Sequence, residues 1–184
     1  PTRNEPLGRA LGLHRMANDQ NLRVLDGTAG WGRDMLAMAG LGCQVVAVER
    51  NPIVACLLKH AHHRLLEDSY GTDEEAASIE ILHQPIEETL MGPISDTGFD
   101  CIYLDPMAPA STSTAKPRRD MELLQTLLGP QDDGEELLQI ALKASTRRVV
   151  VKRPHKSPFL GDITPRSSVK TDRMRFDIYP GALE

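Results

Sequence analysis

No apolar run in this sequence approaches the roughly 20 residues needed to cross a bilayer, so no membrane partner is expected. Cysteine is scarce. Cys43, Cys56 and Cys101 are odd in number and lack C-x-x-C spacing, which argues against a disulfide frame or a zinc site. Each stands in an apolar context and is expected as a buried free thiol, which points to a reducing compartment, most simply the cytoplasm. Two phosphate signatures are also missing. There is no G-x-x-x-x-G-K-[ST] loop, which excludes the usual nucleoside triphosphate site. The glycines of the one glycine-rich turn run Gly27-x-x-Gly30-x-Gly32, which is not the G-x-G-x-x-G order of a dinucleotide site.

The 184 residues, 40% hydrophobic and 26% charged, suffice for one globular domain with a proper core, and no internal repeat or boundary divides residues 1–184. The net charge of −5 hides an asymmetry. Residues 143–175 hold ten Lys or Arg against two acids, Asp162 and Asp172. That basic stretch is either a face for an anionic ligand or a merely solvated surface.

Short apolar, β-branched runs alternate with helical patterns. Strands are expected at residues 22–26, 44–49, 79–83, 99–104 and 148–152, the last stopped by Pro154. Helices are expected near residues 7–13, at 33–39, from Asn51-Pro52 onward, at 86–90, at 121–128 and at 133–144. In the helix after Asn51-Pro52, Ile53, Leu57, Ala61 and Leu65, with Val54 and Leu58 alongside, give the apolar stripe. Residues 70–78 and 110–116 read as loops, and residues 168–170 and 175–179 as an antiparallel hairpin. Five alternations imply a doubly wound, mostly parallel α/β sheet with an antiparallel C-terminal edge.

Ligands of such sheets bind beyond the carboxyl ends of the strands. Here the first strand ends in Asp26 and the glycine turn, the second in Glu49 and the fourth in Asp105-Pro106. Gly30 and Gly32 would let backbone approach a ligand closely. Glu49 stands 23 residues after Asp26, close to the spacing at which an acid grips the hydroxyls of a ribose. A ribose ligand without a phosphate cradle fits S-adenosylmethionine (SAM). Its methionine amino group suits Asp26, its ribose suits Glu49, and its adenine needs an apolar slot beyond the third strand.

Asp105-Pro106-Met107-Ala108-Pro109 resembles the catalytic loop of methyltransferases acting on exocyclic amines. The amine nitrogen of a nucleobase is a poor nucleophile because its lone pair is delocalised. Acceptors on the amine hydrogens, the Asp105 carboxylate and the Pro106 carbonyl, turn that lone pair out of the ring plane and stabilise the developing charge. Holding nitrogen and methyl in line supplies up to roughly 7–11 kcal/mol more. Lys152, Arg153, His155, Lys156 and Arg166 are expected beyond strand five near this loop, where a nucleic-acid backbone would pass, with Lys116, Arg118 and Arg119 joining them. His60, His62 and His63 read as solvated helix residues and no metal is expected; Trp31 is expected to pack under the turn rather than touch the cofactor.

Asp26-Gly27-Thr28-Ala29-Gly30-Trp31-Gly32-Arg33-Asp34, Glu49-Arg50-Asn51-Pro52, Tyr103-Leu104-Asp105-Pro106-Met107, Val149-Val150-Val151-Lys152-Arg153-Pro154 and Arg175-Phe176-Asp177-Ile178-Tyr179 follow one another in a familiar order. Together they resemble the ribosomal RNA small subunit methyltransferase J family, over residues 5–182. The resemblance implies a Rossmann-like, class I SAM-dependent methyltransferase that modifies N2 of a guanosine in 16S ribosomal RNA, with naked RNA or the small subunit as partner. It implies Arg33, Asp34, Glu49, Arg50 and Asp105 as cofactor contacts, joining Asp26, Thr28, Gly30 and Gly32, with Gln84, Pro85 and Ile86 by the adenine. Asp105 and Pro106 are the catalytic pair, and Met107, Lys116, Arg118, Arg119, Lys152, Arg153 and Lys156 the RNA-side candidates. The chain departs from the family pattern at Pro85-Ile86, where a Ser pair is usual, and at Ala108, where an aromatic is usual. An N-terminal segment usual in the family is expected to be missing ahead of Pro1. Other readings are an amine methyltransferase acting on DNA or protein, and a cofactor-binding module without turnover.

Overall fold

In the computed structural model, alternation along each strand sorts the apolar side chains onto two faces of one sheet. The structure describes residues 2–17, 20–68, 78–92, 98–106, 133–144 and 146–183. Met107, Ala108, Pro109, Lys116, Arg118, Arg119 and the helix expected at 121–128 lie outside these residues, as does most of the loop expected at 70–78. The order of elements is α1 (Pro6–Leu11), a 3-10 turn (Leu13–Arg15), β1 (Arg23–Asp26), α2 (Arg33–Ala39), β2 (Gln44–Val48) and α3 (Pro52–Asp68). Then come β3 (Ile79–Leu82), α4 (Ile86–Met91), β4 (Cys101–Leu104), α5 (Gly134–Lys143), β5 (Arg148–Pro154), a 3-10 turn (Leu160–Asp162), β6 (Ser167–Lys170) and β7 (Met174–Pro180).

The seven strands lie in the order β3-β2-β1-β4-β5-β7-β6. β1 to β5 are parallel, and β7 enters antiparallel between β5 and β6. On one face Val24, Val45, Ala47, Cys101, Tyr103 and Val150 meet Met35 and Met38 of α2, Leu58 of α3 and Ala10, Leu11 and Leu13. On the other, Leu25, Val46, Val48, Ile102, Leu104, Val149 and Val151 meet Ile86 of α4 and Leu137, Leu138 and Ala141 of α5. Burial of this branched surface at roughly 25 cal/mol per Å² is what drives the sheet together. The strand order reverses at β1 and β4, so the crevice lies above their carboxyl ends.

The start of α3 forms as its sequence predicts. Asn51 Oδ1 accepts the Ile53 and Val54 N–H groups at 3.0 and 3.2 Å, and Pro52 is the first helical residue. Its buried face keeps the Val54 and Leu58 line of the expected stripe and not the Ile53 and Leu57 line. Val54, Ala55 and Leu58 are buried, whereas Ile53 and Leu57 are 53% and 47% exposed. The helix carries apolar residues around more than one face, so periodicity alone did not choose between neighbouring lines. Cys56 lies on the exposed side, a correction to its expected burial; Cys43 and Cys101 are buried free thiols.

Strand five also differs from expectation. It continues through Lys152 and Arg153 to Pro154 because β7 pairs with all seven of its residues, and the ladder closes with His155 N–H donating to the Arg173 carbonyl at 2.9 Å. Pro154, expected as the stop, is the last rung, so the strand runs two residues beyond the expected Lys152. Among the described residues, no helix is long and apolar enough to cross a membrane.

Candidate active site

The glycine turn is stitched to both neighbouring strands. Gly27 N–H donates to the Tyr103 carbonyl of β4 at 2.9 Å, and Ala29 N–H to the Val48 carbonyl of β2 at 3.1 Å. Gly27 is the position of close approach. A Cβ there would lie 2.5 Å from Ile86 Cδ1 and 2.7 Å from Leu104 Cδ2, both buried. Gly32, expected to give room to a ligand, also has a structural reason to be glycine. Its φ is +74°, and a Cβ would meet Leu58 Cδ1 at 2.5 Å. Gly32→Ala is therefore expected to cost about 1–2 kcal/mol in backbone strain plus about 1–3 kcal/mol in overpacking, read as a lowered denaturation midpoint.

Three strand-end acids converge around this turn. Asp26 is 1% exposed, and its Oδ1 accepts the Thr28 N–H at 3.1 Å. Burial pushes its carboxyl up to about 8; the Thr28 N–H eases this, while Asp34 and Asp105 add to it. Glu49 is also buried. Its Oε2 accepts the Gly30 N–H at 3.0 Å and its Oε1 the Asn51 N–H at 2.8 Å. These two bonds fix the carboxylate in place and leave further lone pairs for a diol. Asp105 is held at its backbone, its N–H donating to Thr28 Oγ1 at 2.6 Å.

Lys152 joins them. Its ammonium donates to Asp34 Oδ2 at 2.7 Å and to Asp105 Oδ2 at 2.9 Å. Burial pushes the Asp105 carboxyl up to about 6, with Lys152 opposing and Asp34 reinforcing the rise. Burial would lower the Lys152 pKa, but Asp105 and Asp34 outweigh it and hold the ammonium charged. The Tyr103 hydroxyl donates to Asp34 Oδ2 at 2.7 Å. Burial first, then Asp105 and Asp34, raise its pKa well above the ordinary value, so it stays a donor. Tyr103 was not among the site residues read from sequence, although a tyrosine inside a buried strand needs a hydroxyl partner.

The other expected residues are spread more widely. Arg33 is exposed at the start of α2, and Arg50 pairs with Asp133 ahead of α5. The Gln84 amide donates to Thr89 Oγ1 at 2.7 Å, Pro85 caps α4, and Ile86 is 2% exposed in the core. Trp31 is half-buried, and the His63 ring pairs with Glu67 one helical turn away. Pro106 is buried beside α5, where a Cβ on Gly134 would come within 3.2 Å of its ring.

The basic segment divides. Lys156, Arg166, Lys170 and Arg173 are exposed. Lys152 is engaged by two carboxylates, and Arg153 is 6% exposed with its Nε unpartnered, so neither belongs to a solvent-facing phosphate strip as expected. Arg175 is a structural hub: its Nε bonds both Asp177 oxygens at 2.9 Å, and its terminal nitrogens take the carbonyls of His155, Ser157 and Pro158.

SAM is a cation with an ammonium, a sulfonium and a ribose diol. A buried Asp26, a Glu49 carboxylate with spare acceptor sites and a cluster of acids served by one ammonium match that chemistry. A doubly wound sheet with acids at the ends of β1, β2 and β4 defines the class of SAM-dependent methyltransferases, and residues 1–181 match the model of a family described as "Putative SAM-dependent methyltransferase". The ribosomal RNA small subunit methyltransferase J of Photobacterium profundum is 37% identical over 180 residues, covering 96% of this chain and 69% of that protein. That of Vibrio vulnificus is 38% identical over 186 residues, covering 98% and 71%. The crystal structure of a SAM-dependent methyltransferase from Neisseria gonorrhoeae superposes with a TM-score of 0.75 at 32% identity, covering 97% of this chain and 67% of that one. The chain belongs to the ribosomal RNA small subunit methyltransferase J family.

Proposed function

We propose that the protein methylates the exocyclic N2 amine of a guanosine in small-subunit (16S) ribosomal RNA, using SAM. The observation that carries this reading is the Asp105-Pro106 pair at the end of β4. Asp105 is fixed at its backbone by Thr28 and at its carboxylate by Lys152, and Pro106 is packed against α5. The names of the relatives supply the class of RNA.

When bound, SAM supplies a methyl group made electrophilic by the adjoining sulfonium. The chain's own work is placement and acceptance. Asp26, Thr28, Gly30, Gly32, Arg33 and Asp34 are assigned to the methionine end, Glu49 and Arg50 to the ribose, and Gln84, Pro85 and Ile86 to the adenine side. Asp105 and the Pro106 carbonyl accept hydrogen bonds from the two amine hydrogens of the base, which frees the nitrogen lone pair and stabilises charge developing on nitrogen. As the N–C bond forms and the S–C bond breaks, leaving a neutral thioether, the Asp105 carboxylate takes the one proton the nitrogen must lose. Proline restricts the backbone, so the two acceptors do not have to be ordered when the base arrives. A guanosine in structured RNA must first be turned out of its stack at a cost of a few kcal/mol. The exposed Lys156, Arg166, Lys170 and Arg173 are assigned to phosphate contacts, with Met107, Lys116, Arg118 and Arg119 completing the RNA side.

The test is methyl transfer from labelled SAM to naked 16S RNA, small ribosomal subunits, DNA and protein, followed by mapping of the labelled nucleotide. The expected product is N2-methylguanosine at one position of 16S RNA. Label in DNA or protein alone would overturn the substrate assignment, and tight SAM binding without transfer to any acceptor would favour a binding module.

A further inference from the structure

The ammonium of Lys152 bridges two carboxylates that arrive from different elements, Asp34 from α2 and Asp105 from the end of β4. It reaches them because β5 lies beside β4 and because Lys152 shares a sheet face with Val150 and Tyr103. The lysine side chain is 21% exposed, and two of its three N–H donors are used on these acids. A buried ammonium is costly even when paired, and hydrophobic side chains in place of the whole Asp34–Lys152–Asp105 group would pack here at no greater cost to the fold. Fold stability alone therefore gives no reason for a lysine here.

We propose that Lys152 is a positioning residue for the methyl transfer: its ammonium, held by Asp34, fixes the Asp105 carboxylate in its ionised form and in one orientation, so that it serves as the acceptor for the amine of the base. The proposal rests on the reading of Asp105 as that acceptor. The bond from Lys152 engages Oδ2, and among the described residues no hydrogen bond falls on Oδ1, the oxygen assigned to an amine hydrogen. The groups around Asp105 show why a cation is needed. Asp26 faces it from β1, Asp34 from α2 and the Tyr103 hydroxyl from β4, while Arg153 lies further along β5 and Asp133, ahead of α5, is paired with Arg50. Among the described residues, Lys152 is the one cation that contacts the Asp105 carboxylate. Without it, burial and the acids nearby would drive Asp105 toward the protonated form, in which one oxygen is a donor and the carboxyl is no longer fixed. Tyr103 completes the arrangement by donating to the same Asp34 oxygen, so that Asp34 holds the lysine rather than the reverse.

The experiment is a carbon-13 carboxyl NMR titration of Asp105 in the intact wild-type protein and in Lys152→Met and Lys152→Arg, beside pH–rate profiles of methyl transfer for the same three proteins. Lys152→Met is expected to raise the Asp105 midpoint, from about 6, by about one pH unit or more. The rising limb of the rate profile should move by the same amount, and Lys152→Arg should return both toward wild type. In an Asp105→Asn background, Lys152→Met should no longer move the limb. SAM binding by calorimetry checks that each variant is folded. An Asp105 midpoint unchanged by Lys152→Met overturns the proposal. A shifted midpoint with an unmoved limb overturns instead the role of Asp105 as acceptor. Absence of methylguanosine in the RNA assay would overturn the substrate reading, whereas the hold of Lys152 on Asp105 stands or falls on the titration, which needs no substrate.

Discussion

Asp105→Ala is expected to lower methyl transfer by about 10²–10³-fold, with SAM affinity reduced only modestly. The loss follows from what the carboxylate is asked to do. An exocyclic amine becomes nucleophilic only as its lone pair leaves conjugation, and the acceptors that favour this act more strongly in the transition state than in the ground state. Removing one such group therefore lowers kcat more than it raises KM. The alanine keeps the backbone N–H that donates to Thr28 Oγ1, so the turn and the cofactor side of the site retain their support. Asp105→Asn should lose less, since its amide oxygen still accepts a hydrogen, although the charge that attracts Lys152 is gone. Single-turnover kinetics with saturating SAM would separate the chemical step from RNA binding. Full activity of Asp105→Ala would remove the proposed mechanism. Equal losses in alanine and asparagine variants would point to the charge rather than to the acceptor.

The parts of this site that were legible in the sequence are those carried by strand ends. Asp26, Glu49 and Asp105 each follow a short branched run, and parallel topology then puts all three on one rim. Lys152 was read as part of a basic surface instead, since its neighbours in sequence are cationic. Its partner Asp34 is 118 residues away, and pairing them requires knowing that β5 lies beside β4 and which face each strand residue takes. The insertion of β7 between β5 and β6 was invisible for a similar reason. The hairpin signal showed that β6 and β7 pair but not which of them meets β5, and that pairing is what carries strand five on to Pro154. Arg175 and Asp177 stood out in the family motif, and their role is to tie the carbonyls of residues 155–158 to the sheet. The need for glycine at position 27 carries no local signal in the sequence, since the closeness of Gly27 to Ile86 and Leu104 exists only after α4 has packed.

Asp26→Asn is expected to separate two effects of one buried carboxyl. In the ligand-free protein its pKa is pushed up from an ordinary value of 3.8 to about 8, with burial the main cause. An acid whose folded pKa is raised contributes stability that is fully present below 3.8 and is lost as pH rises through about 8. At pH 9 the wild-type protein must carry a buried charge that asparagine does not, and the amide can still accept the Thr28 N–H. The variant should then be more stable than wild type at pH 9, by roughly 2–5 kcal/mol, and that advantage should shrink steadily as pH falls through 5 toward 4, as measured by denaturant unfolding. SAM should reverse the order. An ammonium beside Asp26 favours the ionised carboxylate, so cofactor binding near pH 7 should expel the proton that Asp26 otherwise keeps. Calorimetry in buffers of different ionisation enthalpy should show a release approaching one proton per SAM in wild type and none in Asp26→Asn. Loss of a charge-assisted hydrogen bond, about 1.5–3 kcal/mol, predicts at least a tenfold weaker SAM complex in the variant. Wild-type binding without proton release, together with unchanged affinity in the variant, would move the methionine ammonium away from Asp26. A release that persists in Asp26→Asn would assign the proton to another carboxyl of the cluster, with Asp105 the next to examine.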